Sequence, residues 1–175
     1  MMSQIVGISG NMGAGKTTLS KALAEAYQST WVGWDDFDDI SQAPEDLVDW
    51  YKGGQDYMAW DYQPLADVMQ ALKSNQPILH PVLKTMLHPT EYIIFDAPLG
   101  RLHQQTGQFI DLWIHLDVPL DVSLGRHLLR DFKASDKTKE ELLQTTQITR
   151  ELALKHSYNF SSRLHVELWG QERNK

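Results

Sequence analysis

Short apolar runs alternate with stretches of helical periodicity at the start of the chain. Residues 4–8 form an apolar run of strand length, and a glycine-rich segment follows over residues 10–15. From residue 16 to about residue 27 the apolar positions recur at the spacing of one helix face, at Leu19, Ala22, Leu23 and Ala26. A strand, a glycine-rich loop and a helix in this order predict the opening of a βα unit.

The same two patterns recur along the rest of the chain. Apolar runs predict further strands over residues 30–33, 78–79, 92–96, 112–116 and 164–168. Helices are predicted over residues 44–51, 64–73, 119–132 and 137–156, with a loop over residues 52–62. This alternation predicts an α/β fold, in which a largely parallel sheet of about five strands is flanked by helices.

The glycine-rich segment carries a phosphate-binding motif. The run Gly10-Asn11-Met12-Gly13-Ala14-Gly15-Lys16-Thr17 fits the P-loop pattern G-x-x-x-x-G-K-[ST], and Thr18 follows in the predicted helix. Glycines let backbone N–H groups approach a phosphate closely, and the helix adds its positive amino end. Lys16 should reach the β- and γ-phosphates and the Thr17 hydroxyl should ligate Mg²⁺. Residues 10–18 are therefore predicted to bind ATP with Mg²⁺, and the fold is predicted to be that of a P-loop NTPase of the nucleoside or nucleotide kinase type.

A second metal ligand is expected at the end of a neighbouring strand, because a P-loop site uses an acidic residue there to organise the ion. Asp96 ends the apolar run 92–96 and is the candidate. The alternative is an aspartate that only caps a turn.

The acidic segment after the predicted second strand is a candidate acceptor site. Trp34-Asp35-Asp36-Phe37 should lie at the same edge of the sheet as the P-loop. A carboxylate at this place can orient a hydroxyl and accept its proton during phosphoryl transfer. The alternative is a solvated acidic turn, since four of the five residues 35–39 are aspartates.

With the P-loop, this element resembles the uridine kinase-like group of P-loop kinases, which includes nicotinamide riboside kinases. In that group an Asp that begins an Asp-Asp-Phe or Asp-Ser-Phe element serves as the base. The resemblance implies this role for Asp35 and places Asp36 beside the metal or the acceptor.

Residues 60–67 also resemble that group, in its segment that shapes the acceptor pocket. The spacing departs by one residue, because Tyr62-Gln63 stands where the group has a single His before Pro. The resemblance implies that Asp61 holds sugar hydroxyls and that Trp60 or Tyr57 stacks on a ring. The equal alternative is a helix start with aromatic packing.

Three arginines are candidate phosphate ligands. Arg126 and Arg130 are four residues apart on a predicted helix and hence share one face, where they could neutralise charge on the transferred group. In the resembled group, arginines at this place close over ATP. The alternative is that they pair with surface carboxylates. Arg101 follows the strand that ends at Asp96 and could grip an acceptor or a phosphate.

Composition narrows these possibilities. The net charge of −7 argues against a nucleic-acid partner, and the absence of cysteine excludes disulfides and a cysteine nucleophile. No basic segment precedes residues 4–8, and no run approaches the roughly 18 apolar residues of a membrane span. We expect a single cytoplasmic domain over residues 1–175, with no membrane partner.

Together these features predict a kinase that transfers the γ-phosphate of ATP to a hydroxyl of a nucleoside-like or sugar-like molecule. Asp35, Lys16, Arg126 and Arg130 are the predicted catalytic residues. One alternative is a regulatory nucleotide-binding protein that hydrolyses ATP slowly or not at all. Another is a nucleoside monophosphate kinase, which would need basic residues around its acceptor.

Overall fold

The structure is a computed structural model that describes residues 2–134 and 163–168 of the chain. Its strands are β1 (Gln4–Gly10), β2 (Thr30–Gly33), β3 (Ile78–Leu79), β4 (Met86–Leu87), β5 (Tyr92–Asp96), β6 (Leu112–Asp117) and β7 (Arg163–Leu168). Its α-helices are α1 (Lys16–Ala26), α2 (Leu47–Lys52), α3 (Gln63–Lys73), α4 (Gln104–Gly107) and α5 (Leu120–Ala134). Short 3-10 helices cover Asp35–Ile40, Tyr57–Ala59 and Gly100–Leu102. Among the described residues, no helix is both long and apolar enough to cross a bilayer.

The main sheet has the strand order β2-β5-β1-β6-β7. The first four strands of this order are parallel, and β7 pairs antiparallel with β6. The predicted α/β fold with a largely parallel sheet of about five strands is therefore confirmed. The antiparallel direction of β7 was not predicted, because an apolar run does not encode the direction in which a strand pairs.

The two central parallel strands, β1 and β5, are buried on both faces, as their unbroken apolar character predicts. In β5, Ile93 and Phe95 join the core on the side of α3, whereas Ile94 joins the core on the side of α1. The α3 side is filled by Leu65, Val68, Met69 and Leu72, and the α1 side by Leu19, Leu23 and Ala24. Helices on opposite faces hold the sheet so that the carboxyl ends of its central strands stay open.

The ends of α3 follow from local sequence. Pro64 stands in the first turn, where a missing N–H costs nothing because that group has no partner within the helix. Asn75, just after the last turn, has a left-handed φ of 59° and donates its N–H to the Leu72 carbonyl. Lys73 in the last turn forms an ion pair with Asp111, just before β6. The observed helix starts one residue before the predicted one.

Some elements differ from the sequence prediction. The predicted strand 78–79 forms, but it pairs with β4 in a separate two-stranded sheet, and β4 was not predicted. Two-residue strands are too short to show a periodicity. Helix α2 begins later than predicted, and part of the predicted loop 52–62 forms a 3-10 turn. The helix expected over residues 137–156 lies outside the described residues.

Candidate active site

A cleft of about 860 Å³ opens at the carboxyl ends of the parallel strands. Its lining brings together P-loop residues 12–18, the carboxylates Asp35 and Asp96, and the arginines Arg126 and Arg130. Strand register places Asp96 next to the P-loop and the segment of Asp35, because Asp96 lies opposite both Ile8 of β1 and Gly33 of β2. Most of the residues predicted to hold phosphate, metal and hydroxyl therefore share one cleft.

The P-loop has the backbone that its glycines permit. Gly13 and Gly15 have φ values of 78° and 97°, in the left-handed region that favours glycine. Gly15 caps α1, and no side chain caps this helix end. The uncapped amides of the first turn give the amino end of α1 the character of an anion site.

The loop also packs tightly against the start of α5. A Cβ at Gly13 would lie 2.0 Å from the Ser123 carbonyl oxygen and 3.2 Å from the His127 backbone nitrogen. Ser123 and His127 are both buried. The helix that carries Arg126 and Arg130 is thus seated directly on the phosphate loop, so these parts of the site are fixed to each other.

Lys16 lies at the centre of the charges in the cleft. Its Nζ donates a hydrogen bond of 3.1 Å to the Asn11 carbonyl oxygen. Burial lowers the pKa of Lys16, while the negative charges of Asp96 and Asp35 oppose that shift. The ammonium group is therefore within electrostatic reach of both carboxylates, and also of Arg130, which lowers its pKa further.

Thr17 and Asp96 form a pair of oxygen ligands. The Thr17 hydroxyl donates to Asp96 Oδ2 at 2.6 Å, and Asp96 is 6% exposed. Burial raises the pKa of Asp96, opposed by the Thr17 hydrogen bond and by the charge of Lys16. The second carboxylate oxygen, Oδ1, is buried and has no hydrogen-bond partner among the described residues.

These donors fit a magnesium ion. Mg²⁺ prefers oxygen ligands and is often held by one or two protein groups together with phosphates and waters. Asp96 Oδ1 is a buried acceptor that no group in the described part of the chain donates to, beside a hydroxyl and a phosphate-binding loop. Within residues 2–134 and 163–168, no three His, Cys, Asp or Glu side chains form a cluster that could hold a metal ion by themselves. An ion that is shared with bound phosphates does not need such a cluster.

The acidic segment forms the 3-10 helix Asp35–Ile40, whose residues point in different directions. Phe37 is fully buried in the core, which leaves Asp35 on the cleft side. Asp38 accepts a hydrogen bond of 2.7 Å from the hydroxyl of the buried Tyr62. Burial raises the pKa of Asp38, and the Tyr62 hydrogen bond opposes this shift. The segment is thus held in place by Phe37 and Asp38, although Asp35, Asp38 and Asp39 are exposed.

Two of the residues predicted for the acceptor pocket, Tyr57 and Trp60, lie in an aromatic cluster that is outside the lining of the cleft. Trp60 contacts Trp34 and Trp50 edge to face, at ring-centroid distances of 6.4 and 5.6 Å. Tyr57 packs against Trp50 in the same way, at 5.4 Å. These contacts match the packing alternative, and a role in stacking on an acceptor stays a prediction.

Asp61 takes part in the structure at the start of α3. Its Oδ1 accepts hydrogen bonds from Gln105 Nε2 at 3.0 Å and from the Gln63 backbone at 3.3 Å. Gln105 in turn accepts from the Tyr62 backbone N–H at 2.7 Å. The exposed Asp61 carboxylate therefore helps to join α3 to α4, and its contact with sugar hydroxyls stays a prediction.

The geometry is at odds with the expectation that Arg101 grips a ligand in the cleft. Its guanidinium donates to the carbonyls of Ile110 and Asp111 at 3.2 and 2.8 Å, just before β6 begins. That position is at the amino ends of the parallel strands, whereas the cleft is at their carboxyl ends. A residue that follows a strand can send a long side chain back along the sheet, and Arg101 does so.

Two residues that the sequence analysis did not assign lie against the acidic helix. They are Tyr62, through its bond to Asp38, and the buried His80, whose ring centroid is 4.6 Å from that of Phe37. The isolated motif Leu-His-Pro gives no sign of this placement, because the contact depends on how the hairpin β3–β4 folds back.

Comparison with known proteins places this chain among kinases. No protein-family model matches the chain. The uridine kinase of Borrelia garinii subsp. bavariensis is 30% identical over 164 residues, covering 81% of this chain and 74% of that protein. The uridine kinase of Anoxybacillus flavithermus is 28% identical over 153 residues, covering 80% and 72%.

A solved structure shows the same fold. A Silicibacter sp. TM1040 protein, described provisionally as a fructose transport system kinase, has a TM-score of 0.55. The match covers 92% of this chain and 88% of that one, at 17% identity. At this identity the likeness concerns the fold alone.

Proposed function

Because the chain belongs to the uridine kinase family, we propose that it transfers the γ-phosphate of ATP to a hydroxyl of a nucleoside-like or sugar-like acceptor, with Mg²⁺. Family membership makes the chain a small-molecule kinase. The observation that carries the finer proposal is the single cleft that joins the P-loop, Asp35, Asp96 and two arginines. In this proposal ATP supplies the phosphoryl group, and Mg²⁺ offsets the negative charge of the phosphates.

The P-loop side of the cleft would hold the phosphates and the ion. Lys16 would exchange its bond to the Asn11 carbonyl for a phosphate oxygen, which a flexible ammonium can do without moving the backbone. Thr17 and Asp96 would hold Mg²⁺, since their oxygens already lie 2.6 Å apart. The low exposure of Asp96 strengthens these charge interactions, because water screens them less.

The opposite side would hold the acceptor. Asp35 would accept a hydrogen bond from the attacking hydroxyl and take its proton as the oxygen–phosphorus bond forms. Arg126 and Arg130 are exposed on the lining of the same cleft and would neutralise charge on the transferred group, with Arg130 exchanging its hydrogen bond to His127 Nδ1 for a phosphate oxygen. Catalysis would consist of positioning and charge neutralisation.

The charges of residues 34–67 favour an acceptor without a phosphate. Over residues 34–67 the only Lys or Arg is Lys52, whereas aspartates are numerous. A nucleoside monophosphate would bring a second dianion next to these carboxylates, which is unfavourable. The name of the relatives makes uridine the first acceptor to test.

The test is acceptor-dependent release of ADP in the presence of Mg²⁺, with a panel of uridine, cytidine, nicotinamide riboside, ribose and uridine monophosphate. The wild type is expected to phosphorylate a neutral member of the panel. Asp35→Asn should keep the affinity for ATP and lower kcat by roughly 10²–10⁴-fold, the range for loss of a general base.

Asp39→Asn is the matched control, because Asp39 is an exposed residue of the same 3-10 helix and is absent from the cleft lining. It should retain wild-type kcat. If Asp35→Asn turns over at the wild-type rate, Asp35 is not the base. Binding of ATP without turnover of any acceptor would instead support a regulatory nucleotide-binding protein.

A further inference from the structure

His80 is a buried histidine, and one of its ring nitrogens has no hydrogen-bond partner within residues 2–134 and 163–168. The residue is 2% exposed and lies directly after β3, at the base of the β3–β4 hairpin. Its Nδ1 accepts hydrogen bonds from the backbone N–H groups of Val82 and Leu83, both at 3.2 Å. Since Nδ1 is an acceptor, the proton of the neutral ring is on Nε2. That buried Nε2 has no hydrogen-bond partner among the described residues.

The free N–H lies near the acidic helix of the candidate active site. Asp36 Oδ2 is 4.0 Å from His80 Nε2, and the Phe37 ring packs on the imidazole. A separation of 4.0 Å is longer than a hydrogen bond, but a shift of about 1 Å or a bridging water would complete the contact. Burial lowers the pKa of His80, and the charge of Asp36 opposes this shift, so the neutral ring presents its N–H on the side of the Asp36 carboxylate.

The His80–Asp36 pair and the His80–Phe37 ring contact lie on one side of the first turn of the 3-10 helix and restrain it. Asp36 and Phe37 directly follow Asp35, so their positions fix the direction in which the Asp35 carboxylate leaves the backbone. His80 is itself held in the hairpin, since its backbone N–H donates to the Thr85 carbonyl at 2.8 Å.

We propose that His80 is a positioning residue, which holds Asp36 through Nε2–H so that Asp35 faces the acceptor. The inference rests on the proposed function, because it assigns Asp35 to the acceptor side of the cleft. His80 itself does not touch the reacting atoms and lies outside the cleft lining.

Two substitutions separate the two ring nitrogens. His80→Asn keeps an acceptor near the position of Nδ1 for the hairpin turn but does not reach Asp36. His80→Gln places an amide donor near the position of Nε2. His88→Asn is the control, because His88 is an exposed histidine that follows β4 of the same hairpin.

The assay is steady-state phosphorylation of uridine with ATP and Mg²⁺. His80→Asn should lower kcat/KM for uridine about threefold to tenfold, the worth of one hydrogen bond, and leave KM for ATP unchanged. His80→Gln should recover most of this loss, and His88→Asn should match the wild type. In an Asp36→Asn background, His80→Asn should have no further effect.

Other outcomes overturn the inference in distinguishable ways. A folded His80→Asn variant with wild-type kcat/KM contradicts it, and so does an equal loss in the Asp36→Asn background, which would indicate packing alone. If the wild type phosphorylates no member of the acceptor panel, the proposed function fails and this role fails with it. A second measurement needs no His80 variant: the ¹⁵N NMR shift of His80 Nε2 should change in Asp36→Asn, and an unchanged shift refutes the contact.

Discussion

The contact between the P-loop and α5 gives a prediction that depends on a single methyl group. Gly13→Ala would place a Cβ 2.0 Å from the Ser123 carbonyl oxygen, on a residue whose φ is 78°. Ordinary contacts between such atoms begin near 3.5 Å. The loop or the start of α5 must therefore move by more than about 1 Å.

The cost follows from two independent effects. A positive φ costs a non-glycine residue about 1–2 kcal/mol, and overpacking of a tight contact costs about 1–3 kcal/mol. We expect the free energy of unfolding to fall by about 2–5 kcal/mol, which lowers Tm by about 5–15 °C in a chain of this size. A displacement of about 1 Å in the phosphate loop should also lower kcat/KM for ATP about 100-fold.

Thermal unfolding and ATP kinetics measure the two effects. Gly125→Ala is the control, because Gly125 lies within α5 and a Cβ there has no neighbour within 4 Å. Alanine in a helix interior should raise stability by about 0.5–1 kcal/mol. If Gly13→Ala has the Tm and the kcat/KM of the wild type, the loop does not pack on Ser123 as described.

Three further predictions concern single side chains. Lys16→Ala should weaken binding of a non-hydrolysable ATP analogue by roughly 10–100-fold, measured by calorimetry, because one charged hydrogen bond to phosphate is lost; undiminished affinity would exclude the assigned role. Thr17→Val should lower the free energy of unfolding by about 1–3 kcal/mol in denaturant titrations without metal, since buried Asp96 loses its donor, whereas Thr17→Ser should not. Burial lowers the pKa of His103 below its usual 6.5, so folding opposes its protonation and stability should fall as pH drops below 6.5, by at most about 1.4 kcal/mol per pH unit. The unfolding free energy of His103→Gln should change less between pH 7.5 and 5.5 than that of the wild type, and equal slopes would contradict this.

The local elements of this protein could be predicted because their signals are local. The P-loop needs glycines at positions of positive φ, then Lys16 and Thr17 at the start of a helix, and these requirements are visible in eight consecutive residues. Helix α3 was found within one residue because its apolar face is periodic and Pro64 marks its start. The family resemblance, drawn from the P-loop and from Asp35-Asp36-Phe37, is confirmed by the uridine kinase relatives.

Other features were beyond sequence reasoning because they depend on side-chain direction. Arg101 follows a strand that ends at the cleft, as Asp35 does, yet its guanidinium reaches back to the Asp111 carbonyl. Position after a strand predicts that both residues face the cleft, but it does not determine where a long side chain points. His80 is similar, because only the folding of the hairpin places it against Phe37.

The amino-acid sequence by itself determined the segments that form the main sheet and the helices α1 and α3, and it predicted which residues bind phosphate. Backbone propensity, apolar periodicity and glycine geometry act over a few neighbouring residues, so they can be recognised from the sequence alone. Only the tertiary structure decided that Asp96 lies 2.6 Å from Thr17, although 79 positions separate them. That meeting requires β5 to pair between β1 and β2, and strand pairing is set by the burial of both faces of the whole sheet.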